Sequence, residues 1–259
     1  MISSPLLNAS VMVAVLLPLI TGCGKIRATL PSMERTVKIA KESAMERGTW
    51  IPLTAAAVIG VTGADDNISD WASDHTPVFG SQSRASGISD DLRDALVAGM
   101  VLSSIFTPTP AGDSAFPTHR VVTNALAFGT VAGIVETGKR TFKRERPNER
   151  DTRSFPSGHS SGAFSSAILL EQNLNAMVKQ PLLRKSIKVG AIGSAAAVAW
   201  ARVEAQEHFP VDVLTSAALS NFIVKVFYKL RATESSSAVP PITVEASRQG
   251  FMLRLDQSF

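Results

Sequence analysis

The chain has 259 residues, enough for one large domain or a small pair. Hydrophobic residues make up 45% and charged residues 19%, a balance that excludes wholesale disorder and permits a packed core. The formal charge is only +4 and there is a single Cys, so no intrachain disulfide can form.

The apolar residues are mostly Ala, Val, Leu and Ile, mixed with Gly and Ser, and there is one Tyr. That mixture suits closely packed helices better than a sandwich of aromatic strands. The expected fold is all-α, a helical bundle, with a candidate β-hairpin at the C-terminal end. In chain order, an apolar run from Val11 to Ile20 is too short for a comfortable span and suits a secretory signal. Leu19-Ile-Thr-Gly-Cys23 resembles the lipobox of bacterial lipoproteins. The resemblance implies a signal peptide over 1–22, cleavage before Cys23 and lipidation of its sulfur. The first ten residues carry no Lys or Arg, a departure from such signals. Residues 23–48 read as a tether running into a short helix.

A helical domain is expected over 49–231. Trp50–Thr62 is apolar and rich in Ala, and the polar stretch from 63 to about 91 reads as a loop with short helical turns. Its carboxylates Asp65, Asp66, Asp70 and Asp74 match no calcium loop and read as solvated. Helices are expected over about 90–106, 118–146, 157–178, 183–206 and 209–231, with Pro147 ending the second. Ala95–Gly112 and Gly48–Ala64 are shorter or more polar than the roughly 20 apolar residues of a span, so a buried soluble bundle is expected, with a polytopic membrane protein as the alternative. Residues 232–259 read as a linker and a hairpin, from the alternation at Ile242, Val244 and Ala246 and at Phe251, Leu253 and Leu255.

The basic cluster of 139–153 carries no interleaved aromatics and no nucleic-acid motif, so a small anion or lipid headgroup fits it better than nucleic acid. Lys139 and Arg146 are seven apart, two turns if helical, and would share a face. Ser157 stands where an N-cap belongs, with Gly158 next, and the free N–H groups of a helix start favour negative charge. His208 and Asp212 are one helical turn apart, with Pro210 in the first turn. Short loops and antiparallel returns bring all these residues to one end of the bundle.

Three stretches carry the decisive likeness: Lys139 to Pro147, Pro156-Ser-Gly-His159, and Arg202 to Asp212. In order and spacing they resemble the three-part motif of the type 2 phosphatidic acid phosphatase and vanadium haloperoxidase superfamily. The motif core spans 139–212. One position departs, Ala201, where the family pattern has Ser. The resemblance implies a phosphatase that needs neither metal nor cofactor. By it, His208 is the nucleophile on phosphorus, Asp212 its orienting carboxylate, and His159 the general acid. Lys139, Arg146, Arg202, Ser157 and Gly158 would hold the phosphoryl oxygens. The implied partners are a phosphorylated lipid or other phosphate ester and a membrane surface reached through the lipid anchor. The implied location is the cell envelope, facing the periplasm or exterior. Alternative readings are a soluble broad-specificity acid phosphatase, a haloperoxidase, for which the chain is short, and a non-enzymatic anion-binding lipoprotein.

Overall fold

The computed structural model describes residues 26–28, 32–107, 116–175, 178–234, 242–247 and 250–255. The expected signal peptide over 1–22, Cys23 and residues 235–241 lie outside the described residues. Among the described residues eight helices follow one another: α1 (Met33–Ala44), α2 (Arg47–Thr62), α3 (Ala64–His75), α4 (Gln82–Phe106), α5 (Phe116–Phe142), α6 (Gly158–Asn175), α7 (Pro181–Glu204) and α8 (Pro210–Glu234). The expected hairpin forms from β2 (Ile242–Ser247) and β3 (Gly250–Leu255), antiparallel, with Ser247 opposite Gly250. The short strand β1 (Ile26–Ala28), which the sequence reading placed in the tether, adds antiparallel to β2.

Local chemistry sets the helix ends. Ser32 and Ser81 cap α1 and α4 by accepting from the Arg35 and Arg84 amides at 3.3 and 3.2 Å. Gly63 ends α2 in the left-handed region at φ 69°. Pro181 and Pro210 open α7 and α8, where no intrahelical amide is needed. The region expected as a polar loop is instead α3 and the first third of α4. The carboxylates of Asp65 and Asp66 in the first turn of α3 complement its dipole, so a polar sequence still winds into helix.

Helix α6 is the centre of the bundle and packs on α4, α5, α7 and α8, while α2 lies along α8. One core cluster joins Leu96, Ala163, Ala167, Ala191, Ala195 and Val198 from α4, α6 and α7. Another joins Met100, Ala127, Ile168, Leu169 and Val224. The many Ala and Ser at these contacts let backbones approach closely. At the end of the bundle away from His159 and His208, Asn124 and Asn173 bond each other at 3.1 Å. Both also accept from the Tyr228 hydroxyl, at 2.8 and 2.9 Å.

Two helices are long and apolar enough to cross a membrane, Arg120–Phe142 and Pro210–Leu230, with 28% and 44% of their apolar windows buried. Neither was among the segments weighed as spans from sequence. Leu126, Ile134 and Phe142 on α5 and Trp50, Ile51, Leu53 and Val58 on α2 are exposed apolar side chains.

Candidate functional site

The three motif stretches meet at one end of the bundle. Lys139 sits in the last turn of α5 and is buried, its ammonium donating to the Arg153 carbonyl. Helix α5 then stops at Phe142, and Lys143 turns the chain in the left-handed region at φ 47°. Arg146 therefore lies in the loop and does not share a helical face with Lys139, and Pro147 is not the helix stop. The loop itself carries Arg146 inward. Its guanidinium donates to Asp151 at 2.7 Å and to the Glu207 carboxylate, and the Asn148 amide bonds the Gln206 carbonyl at 3.1 Å.

Ser157 is the N-cap of α6, as its position suggested. Its hydroxyl accepts from the Ser160 amide at 3.3 Å. Its own amide donates to the Asp212 carbonyl at 3.4 Å, which ties the start of α6 to the start of α8. Gly158 opens the helix beside Lys139, and a Cβ placed there would lie 3.8 Å from Lys139 Cε. One residue before Lys139 on α5, Gly138 is needed for space: a Cβ there would lie 2.6 Å from Pro156 Cδ.

Arg202 occupies the last turn of α7 and is buried. It donates to Ser89 at 3.2 Å and pairs with Glu207 at 3.2 Å, while its Nε has no hydrogen-bond partner among the described residues. The chain leaves α7 through Gln206 at φ 54°, and the Glu207 and His208 amides both return to the Arg202 carbonyl. His208 is 1% exposed, and its Nδ1 stands 3.8 Å from Asp212 Oδ2. That is ion-pair range and longer than a hydrogen bond. Burial pushes the His208 imidazole down to about 3, helped by the Lys139 and Arg202 charges. The ring is therefore neutral near pH 7.

Asp212 is held more tightly than its spacing from His208 implies. Its Oδ2 accepts from Ser154 at 2.6 Å and from the Phe209 amide at 2.9 Å, a reach back to the start of α8 like that of a capping box. Its Oδ1 accepts from Arg144 at 2.8 Å. The same guanidinium bonds Asp65 at 2.6 Å and lies 4.1 Å over the Phe209 ring. Asp65 also accepts from the Val211 amide at 2.9 Å and is buried. It is thus a structural carboxylate of the site, not a solvated loop residue.

His159 lies in the first turn of α6. Its Nε2 is 2.6 Å from Asp90 Oδ1 on α4 and also meets Arg93. Burial lowers its pKa to about 4, with Arg202 and Arg93 adding to the effect and Asp90 opposing it. Ala201 is fully buried in a small apolar cluster with Ala85 and Ala205, so the methyl that replaces the motif Ser has a packing role.

The structure thus brings together Lys139, Arg146, Ser157, Gly158, His159, Arg202, His208 and Asp212. Sequence reasoning missed Asp90, Arg93, Arg144, Ser154 and Glu207. Arg144, Ser154 and Glu207 all lie within or between the motif stretches, which was the available signal. Asp90 and Arg93 offered none beyond lying on one face of a helix. Two buried cations, Lys139 and Arg202, and the partly buried Arg146 lie around a buried imidazole, an arrangement that suits a multiply charged anion.

The family model described as PAP2 superfamily matches residues 120–236. Over 108 residues the chain is 29% identical to a lipid A 1-phosphatase of Porphyromonas gingivalis, a stretch covering 42% of this chain. The chain spans 23% of the length of that relative. Among solved structures it is similar to a transmembrane PAP2-type phosphatidylglycerolphosphate phosphatase from Bacillus subtilis. That likeness has 22% identity and a TM-score of 0.49, over 80% of this chain and 98% of the other.

Proposed function

Because residues 120–236 place the chain in the PAP2 superfamily, we propose that it is a phosphatase acting on phosphorylated lipids at a membrane, through a phosphohistidine formed on His208. The observation that carries this reading is the convergence of Lys139, Arg146 and Arg202, all largely buried, around a buried neutral His208 backed by Asp212. A binding site alone would need the cations but not the two histidines.

The steps follow from the groups. Lys139, Arg146, Arg202, the Ser157 hydroxyl and the Gly158 amide hold the phosphoryl oxygens. His208 Nδ1 faces Asp212, which leaves Nε2 to attack phosphorus. The P–O bond to the leaving group breaks, its electron pair stays on that oxygen, and His159 supplies the proton. Water then attacks the phosphohistidine and releases inorganic phosphate, with His159 now taking the water proton. Asp212 stabilises the cationic phosphoimidazole in between. Fixed cations supply the charge stabilisation, so no metal or cofactor is assigned to the reaction.

The lipid substrate is supported by the likeness to a lipid A 1-phosphatase and by the two apolar helices. Phosphatidate, an isoprenyl diphosphate and a lipid headgroup phosphate all fit the anion site. An envelope location facing the periplasm or exterior, with a lipid on Cys23, belongs to the same proposal.

The test is phosphate release by purified protein in excess chelator, from phosphatidate, an isoprenyl diphosphate and p-nitrophenyl phosphate, by wild type and His208→Ala. Chelator-resistant release that the variant loses supports the proposal, and preference for the lipids separates it from a general phosphatase. Release that is indifferent to His208 would overturn the histidine mechanism.

A further inference from the structure

Glu207 lies immediately before the proposed nucleophile and occupies the guanidinium groups meant for phosphate. Its Oε2 pairs with Arg146 and, at 3.2 Å, with Arg202. Its other oxygen, Oε1, lies 3.4 Å from Arg150. The two inner partners are largely buried, with side chains 15% and 6% exposed, whereas Arg150 is 73% exposed. A carboxylate and a phosphoryl group present the same oxygen geometry to a guanidinium fork. Glu207 fills the Arg202 fork only in part, because Nε of Arg202 is buried without a partner among the described residues.

An anion arriving at Arg146 and Arg202 meets this carboxylate at close range. Two like charges on one buried pair of cations repel, so either the phosphate stays out or the carboxylate leaves. Arg150 offers it a place to go. The contact already exists on the solvent side, and a rotation of the Glu207 side chain would exchange two buried partners for one exposed partner.

We propose that Glu207 is an internal competitor for the phosphate site: it neutralises Arg146 and Arg202 in the empty protein, moves toward Arg150 when phosphate enters, and thereby weakens retention of the product phosphate. The inference rests on the reading of this site as a phosphate site. A phosphatase whose cage holds three cations would otherwise bind its inorganic product tightly. A competing carboxylate lets the product go, while a substrate tethered in a membrane gains contacts elsewhere that the free ion lacks.

The opposite role would be a carboxylate that merely orients the arginines, and the two differ in sign. The experiment is calorimetric titration of the detergent-solubilised full chain with inorganic phosphate, for wild type, Glu207→Gln, Glu207→Asp, Arg150→Ala and Arg202→Ala. The competitor role predicts that Glu207→Gln binds phosphate about tenfold tighter. Glu207→Asp, which keeps the charge but retreats by one methylene, tightens binding by less. Arg150→Ala weakens it, because the displaced carboxylate loses its second seat. Unchanged or weaker binding in both Glu207 variants would overturn the inference and leave the site reading intact. Phosphate binding that ignores Arg202→Ala would overturn the site reading, and this inference with it.

Discussion

Ser154 Oγ donates to Asp212 Oδ2 at 2.6 Å, while His208 Nδ1 stands 3.8 Å from that same oxygen. The carboxylate proposed to serve His208 is thus already held by a hydroxyl, by the Phe209 amide and by Arg144. It is positioned before any charge develops on the imidazole, which is what a preorganised counter-charge requires. Asp212→Asn keeps the shape and removes the charge, so turnover should fall roughly a hundredfold or more. Ser154→Ala removes one donor of several and should cost about 1–3 kcal/mol of stability, because a buried acceptor loses a partner. Thermal melting and kcat of both variants check this. Equal activity in Asp212→Asn would remove Asp212 from the mechanism.

Arg144 ties two buried carboxylates from distant segments. Asp65 and Arg144 are 79 residues apart, and Arg144 and Asp212 are 68 apart. Arg144→Ala leaves both acids without their cation and should destabilise the protein by about 3–5 kcal/mol. Arg144→Lys offers one compact charge where a planar fork spans two partners, and should recover only part of that loss. Denaturant unfolding in a fixed detergent gives the ranking. A Lys variant as stable as wild type would mean that the fork geometry does not matter.

These pairs mark where the sequence stops being readable. Lys139, Ser157, His208 and Asp212 are legible because short spacings, Pro and Gly fix local structure, and local structure orients them. The end of α5 is not legible, because Lys143 adopts φ 47° with no Gly or Asn to announce it, and Pro147 offers a false stop. Helix α3 hides behind a polar composition, since its buried face is made of Asp65, Ser69, Ala72 and Ser73, and not of large apolar residues. Asp65 reads as an ordinary solvated acid until the fold brings Arg144 to it. The two long apolar helices are diluted in the sequence by Gly, Thr and Ser.

Gly138 sets the distance between α5 and the Pro156-Ser157-Gly158-His159 turn. A Cβ there would meet Pro156 Cδ at 2.6 Å, and a proline ring cannot swing aside as a flexible side chain can. Gly138→Ala must push the turn that carries Ser157 and His159, at a cost of about 1–3 kcal/mol. Activity should fall further than stability, since the shift falls on the site. Gly133→Ala is the control: the same helix has nothing within 4 Å of a Cβ there. It should be neutral or stabilise by about 0.5–1 kcal/mol. If both variants behave alike, the contact with Pro156 does not set the turn.

The two histidines make the empty site sensitive to acid in a definite direction. Burial, with Arg202 and Arg93, lowers the His159 pKa to about 4, against 6.5 for a free imidazole. Below pH 6.5 the unfolded chain takes up a proton that the folded chain refuses, so the empty protein loses stability as pH falls from 6.5 toward 4. His208, lowered to about 3 from 6.5, extends the same loss further into acid. A bound phosphate reverses the sign at His159, because an anion beside the ring favours the imidazolium. Phosphate binding near pH 6 should therefore take up protons. Binding enthalpies measured in buffers of different ionisation enthalpy would differ accordingly, and His159→Asn should remove most of that difference. The proton taken up is the one the proposed mechanism requires of His159, so the anion itself would charge the acid. Buffer-independent enthalpies in wild type would show that His159 stays neutral in the complex, and the proton for the leaving oxygen would have to come from another group.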